Sequence, residues 1–199
     1  MQRLLLACAA SSVALALTAA PVAAQSTSGT IVINGTVTAK CATTPGGGSS
    51  FGDTVGLSEL ADANGALVAA LSGSSAAAPA FSRSFSLTCT GSNFGVSVEA
   101  ETLANTDVAT APTGYTRAAD FIGRVSLDLV SPSAGSSTLD LDDDSAVAGA
   151  STDSSGPANF LANSTGNVRV SAYGFSTPAG AIMVAGPYEG RIIITVSPS

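Results

Sequence analysis

Apolar and polar side chains alternate with period two along much of this chain, the spacing that turns one face of a β-strand to a core and the other to water. The clearest run is Phe81-Ser82-Arg83-Ser84-Phe85-Ser86-Leu87-Thr88-Cys89, where apolar residues alternate with hydroxyls and Arg83 takes one inward-reading position near the strand start. The same alternation recurs in Phe94-Gly95-Val96-Ser97-Val98-Glu99-Ala100, in Val125-Ser126-Leu127-Asp128-Leu129 and in Val168-Arg169-Val170-Ser171-Ala172. Near the C-terminus, Tyr188-Glu189-Gly190-Arg191-Ile192-Ile193-Ile194-Thr195-Val196 places Tyr188, Ile192, Ile194 and Val196 on one side with Gly190 between them. That pattern predicts a core strand.

Gly, Pro, Asn and Asp break the chain at short intervals, which disfavours long helices and suits many short strands. Residues 57–71 are rich in alanine, but Asn64-Gly65 and the following Gly73 interrupt them, so they read as a loop and a short strand. Residues 43–50, with Pro45-Gly46-Gly47-Gly48, read as a loop. The stretch 131–157 is long for an ordered connection, which predicts a further strand at 138–141. With no internal repeat and no linker, the chain reads as all-β, a single β-sandwich.

The N-terminal residues carry a different signal. Arg3 precedes an apolar run over residues 4–20, and Pro21-Val22-Ala23-Ala24 supplies small residues before a cleavage point. Residues 1–24 are therefore expected to be a signal peptide, with the mature chain starting at Gln25. A lipoprotein-like box, Leu5-Leu6-Ala7-Cys8, has only residues 4–7 before its thiol, short of the roughly 7 to 15 apolar residues required. No later apolar stretch approaches the roughly 18 residues of a membrane span. Removing 24 of 199 residues leaves 175, room for one domain. Residues 25–40 are read as an N-terminal extension and first strand, and residues 41–199 as the sandwich.

Charge and composition then narrow the chemistry. The net charge is −7, and losing Arg3 makes it −8, with six of the seven cations left and scattered. Such a chain offers no basic footprint for nucleic acid. Histidine is absent, so there is no Ser-His-Asp or Cys-His centre, imidazole base or His-ligated metal. Cys41 and Cys89 are the only cysteines after residue 24, and in an exported chain they are expected to form one disulfide.

Asp140-Leu141-Asp142-Asp143-Asp144 starts like a calcium loop, but Ser145 and Ser151 stand where the required Gly and closing Glu would be, so it reads as a solvated loop. Glu99 and Glu101 share one face of a strand without a tryptophan-lined groove, and read as surface acids. The sequons Asn34-Gly35-Thr36 and Asn163-Ser164-Thr165 read as chance. No catalytic residue, metal or cofactor is expected, and the chain is read as enzymatically inert.

Several stretches carry a family pattern: Gly29-Thr30-Ile31-Val32-Ile33-Asn34-Gly35-Thr36-Val37 running into Cys41, then Phe51-Gly52, then Phe85-Ser86-Leu87-Thr88-Cys89, and Ala185-Gly186-Pro187-Tyr188 leading to the last strand. In these the chain resembles periplasmic chaperone-usher pilins, most closely the archaic, spore-coat-U-like branch. The resemblance implies an incomplete immunoglobulin-like β-sandwich that lacks its final strand. Its partners would be a periplasmic chaperone, an outer-membrane usher and other pilin subunits, or further copies of itself, in a fibre or coat at the cell surface. Ile31, Ile33, Gly35 and Val37 would be donor-strand residues, and Tyr188, Ile192, Ile194 and Val196 the core strand and a chaperone contact.

The residues themselves leave alternatives open. Residues 31–37 read equally as the first strand of a complete sandwich, or as a hairpin turned at Asn34-Gly35. A self-complete immunoglobulin-like adhesin or binding module, and an enzyme that uses only carboxylates or hydroxyls, are the rival functions.

Overall fold

The strand pattern folds mainly into antiparallel sheets, seen in a computed structural model that describes residues 31–199. The expected signal peptide, and residues 25–30 of the expected extension, lie outside the described residues. Residues 36–199 form one compact unit, and it holds every element named below. In chain order these are β1 (Cys41–Thr43), α1 (Ala69–Ser72), β2 (Phe81–Phe85), β3 (Leu87–Cys89), β4 (Gly95–Asn105), β5 (Tyr115–Thr116) and β6 (Ala118–Ser131). They are followed by β7 (Gly135–Asp144), β8 (Ser151–Ser154), β9 (Phe160–Leu161), β10 (Val168–Ser176), β11 (Ile182–Met183) and β12 (Tyr188–Ser197).

One layer runs β7, β6, β10, β2, with β9 beside the far end of β6. The other places β4 beside β12 and β8. Among the described residues the layers pair strand to strand only where Leu103 and Ala104 of β4 meet Ala119 and Ala118 at the start of β6. Elsewhere they face each other across a core: Val96 and Val98 of β4 pack with Val125, Leu127 and Leu129 of β6 and Val168 of β10. A second cluster around Phe121, Phe175 and Leu71 fills the other end, with the two phenylalanine rings stacked at 5.2 Å. The arrangement is sandwich-like and all-β. A small parallel pair, β5 with β11, lies outside it.

The alternating run at 81–89 keeps its phase but divides at Ser86 into β2 and β3, because it changes partners there. Before Ser86 it pairs with β10, and after it with β1. The Ser86 carbonyl accepts the Thr44 amide at 2.8 Å, and its hydroxyl accepts the Gly166 amide at 2.9 Å. Fully buried Asn167 supplies the missing sheet contact: its Oδ1 accepts the Leu87 amide, and its Nδ2 donates to the Leu87 and Ala162 carbonyls. The strand expected at 138–141 exists as the longer β7. Residues 57–71 depart from expectation. They form no strand; Asp62 Oδ1 accepts the amides of Asn64 and Ala66 in a tight turn, and α1 starts at Ala69. Side-chain capping of the chain at Asp62 competes successfully with strand pairing there.

Cys41 and Cys89 face each other in the β1–β3 register and are bridged, as the cysteine count predicted. The bridge closes a separation of 48 residues. Replacing both with serine is expected to lower the unfolding free energy by about 4 kcal/mol on the chain-entropy account. Denaturant titration checks this; a loss below about 1 kcal/mol would mean that the unfolded chain is already constrained.

Candidate functional site

A groove opens where the two layers end. One layer stops at β2 and the other at β12, and each of these strands has a single strand partner among the described residues. Between them lies a cleft of about 1100 Å³. Its floor is apolar: Phe81 and Phe85 from β2, Phe121 from β6, Val170 and Phe175 from β10, Leu103 from β4, and Ile192 and Ile194 from β12.

The burial of β12 shows what the opening does. Tyr188, Ile192, Ile194 and Val196 all turn inward, as the alternation predicted, yet each is only half-buried. On neighbouring β4 the equivalent residues Val96, Val98 and Ala100 are fully buried. The two strands pair along nearly their whole length, so the difference comes from position. β4 lies between two strands, whereas β12 has a neighbour on one side and the groove on the other. The opposing charges Glu189 and Arg191, paired at 2.9 Å, stand on the outward face of β12 beside its free edge.

Two glycines allow close packing here, Gly123 between the layers and Gly190 within one of them. A Cβ on Gly123 of β6 would come within 3.2 Å of both Ala100 and Ile192 side chains. One on Gly190 would lie 3.0 Å from the Glu101 carbonyl and the Leu103 Cα, at the irregularity in the β12–β4 register. The glycine read between Tyr188 and Ile192 is thus a bulge position.

The opposite wall is the stretch 51–60, which belongs to no strand. Phe51 packs on Phe85 with ring centroids 4.9 Å apart, and Leu57 and Leu60 pack against the Phe121–Phe175 cluster. Arg83, inward in the β2 phase, donates from Nε to Asp53 Oδ2 at 2.8 Å, and both side chains remain nearly half exposed. The Thr54 amide, and then Arg83, hold the Asp53 carboxyl below the usual carboxylate range. The alternation flagged Arg83 as anomalous, and Phe51 was legible as part of a motif. Residues 53–60 carried no periodic signal that could announce a wall.

The donor residues named from the resemblance are placed differently from the groove residues. Ile31, Ile33 and Val37 are 89%, 91% and 81% exposed, and nothing lies within 4 Å of where a Cβ of Gly35 would stand. Residues 31–40 form no strand, neither a first sandwich strand nor a hairpin at Asn34-Gly35. The first strand of the described residues starts at Cys41.

The acids considered for chemistry are dispersed by the strand pleat. Asp142 points outward and takes a two-pronged hydrogen bond of 2.6 Å from Arg124, which holds its carboxyl below the usual range. Asp143, next in sequence, points inward and is buried. It accepts the Ala100 amide with one oxygen, and the Ser151 amide and hydroxyl with the other. It therefore ties β7 to β4 and β8 and is a structural brace. Glu99 sits opposite Ile193 and Glu101 opposite Arg191 on the outer face of β4, away from the groove floor.

The groove and the bridge define a class, an all-β, sandwich-like domain with one disulfide and an apolar cleft along its last described strand. No family model matches the chain, and no curated protein or solved structure matches it either.

An opening that leaves the β12 face half-covered has an energetic signature. Ile194→Ala is expected to cost about 1 to 2 kcal/mol in the isolated chain, against about 3 to 5 for Leu127→Ala in the closed core. Equal losses in denaturant titrations would show that the groove is shut in solution.

Proposed function

We propose that this chain is a structural subunit of a bacterial surface fibre or coat, built on an immunoglobulin-like sandwich that lacks one strand and is completed by a strand from another molecule. The observation that carries this reading is β12. It combines a free backbone edge with a half-buried row of Ile192, Ile194 and Val196 above an apolar cleft. A strand laid along that edge would pair the β12 backbone and cover the row, which is β-augmentation.

A candidate occupant is encoded in the same chain. Residues 31–37 put Ile31, Ile33, Gly35 and Val37 in one phase, and the three side chains are exposed. Exposed β-branched alternation is an edge-pairing hazard that secreted proteins ordinarily avoid. In a subunit that polymerises it is the connector. Burying two isoleucines and pairing their backbone would contribute on the order of 5 kcal/mol, at about 1.5 to 3 per side chain. In this reading a periplasmic chaperone fills the groove first, an outer-membrane usher receives the subunit, and the extension of a neighbouring subunit replaces the chaperone strand. The signal peptide of residues 1–24 delivers the chain to that route. The subunit carries out no chemical step and takes no cofactor.

The test is size-exclusion chromatography of the chain expressed in a periplasm, with and without residues 25–34. The full chain is expected to form SDS-resistant ladders, and the truncated chain to run as a monomer. Two stable monomers would instead indicate a self-complete binding module.

A further inference from the structure

The stretch 51–60 lines the groove as its wall without belonging to either sheet. None of residues 51–59 makes a backbone-to-backbone hydrogen bond within the described residues. Apart from the Leu60 carbonyl, which accepts the Val68 amide at 2.9 Å at the end of the stretch, its attachment is by side chains: Phe51 on Phe85 at one end, Leu57 and Leu60 on the second core cluster at the other, and the Asp53–Arg83 pair between. Ser58 takes φ 61°, in the left-handed region that non-glycine residues seldom occupy. In an extended chain Leu57 and Leu60 would face opposite ways; the turn at Ser58 lets both point inward. The same turn prevents the stretch from becoming a regular strand.

An element that packs on apolar floor but leaves its backbone unpaired from residue 51 to residue 59 is weakly held compared with the strands around it. Low local stability of this kind marks segments that open independently of the whole fold. We infer that residues 51–60 are a displaceable strap, a built-in cover that shields the groove floor while the groove is empty and lifts to admit a strand. The lifting follows from the side-chain attachment alone; the gating role rests on the strand-acceptor reading of the groove. Asp53–Arg83 is its latch. The pair is placed where the strap passes β2, and it is exposed enough that solvent competes with it.

Thiol labelling tests the strap without any added strand. In the chain lacking residues 1–24, Leu57→Cys is the single free thiol, since Cys41 and Cys89 are bridged. Its reaction with the dianionic reagent DTNB is expected to run well above the rate of global unfolding. Adding Arg83→Gln is expected to accelerate it by up to about fivefold, the ceiling for an exposed ion pair. The direction is diagnostic, because making the chain one charge more negative would by itself slow a dianion. Labelling only as fast as the chain unfolds, or a rate unchanged or lowered by Arg83→Gln, would overturn the strap while leaving the acceptor groove standing. Fast labelling in a chain that forms no ladders would uphold the lifting strap and remove the strand-acceptor reading.

Discussion

Everything distinctive in this molecule follows from one uncovered edge. β12 carries an apolar row on its inward face, has β4 as its single strand partner among the described residues, and stops one layer of the sandwich short of closing against the other. An exposed sheet edge offers unpaired amides and carbonyls, and an apolar row beside it adds a hydrophobic incentive to pairing. Most folds remove such an edge by covering, charging or shortening it. Here the charges Glu189 and Arg191 lie on the outer face only, and the inward row is left available.

The remainder of the structure keeps that edge in place. The β4 strand, pressed between β12 and β8 and buried on its inner face, acts as the fixed support. Gly190 permits the close approach of backbone that sets β12 against it, and Gly123 of β6 leaves room for the Ala100 and Ile192 side chains across the core. At the far end the Cys41–Cys89 bridge and Asn167 hold the divided strand β2–β3 in register, so the opposite lip of the groove is also fixed. Buried Asp143 ties β7 to β4 and β8 through three hydrogen bonds. A rigid frame with one soft wall is the result, and the soft wall is the stretch that no strand pairing supports.

How far the sequence disclosed this depends on whether a feature is periodic. The inward phases of β4, β6, β10 and β12 were legible because alternation of apolar and hydroxyl residues is a local property. The disulfide was legible from counting cysteines. The division at Ser86 was not, since it depends on a change of partners decided by Thr44 and Gly166, which are distant in sequence. Residues 57–71 misled because an Asp62 turn and a four-residue helix leave no repeating pattern. Spacing did not disclose the groove, which the sequence offered only as an implication of the pilin resemblance: being open is a relation between the edges of two layers, and half-burial of Ile194 cannot be told from full burial of Val98 by spacing.

The central claim is that the free edge of β12 takes a strand. Hydrogen exchange of the chain lacking residues 1–34 tests it directly, with and without a synthetic peptide of residues 29–38. The account predicts that the amides of residues 192–196 that point away from β4 gain protection when the peptide is added, while those already bonded to β4 change little. A peptide that leaves the exchange of β12 unchanged at saturating concentration would contradict it.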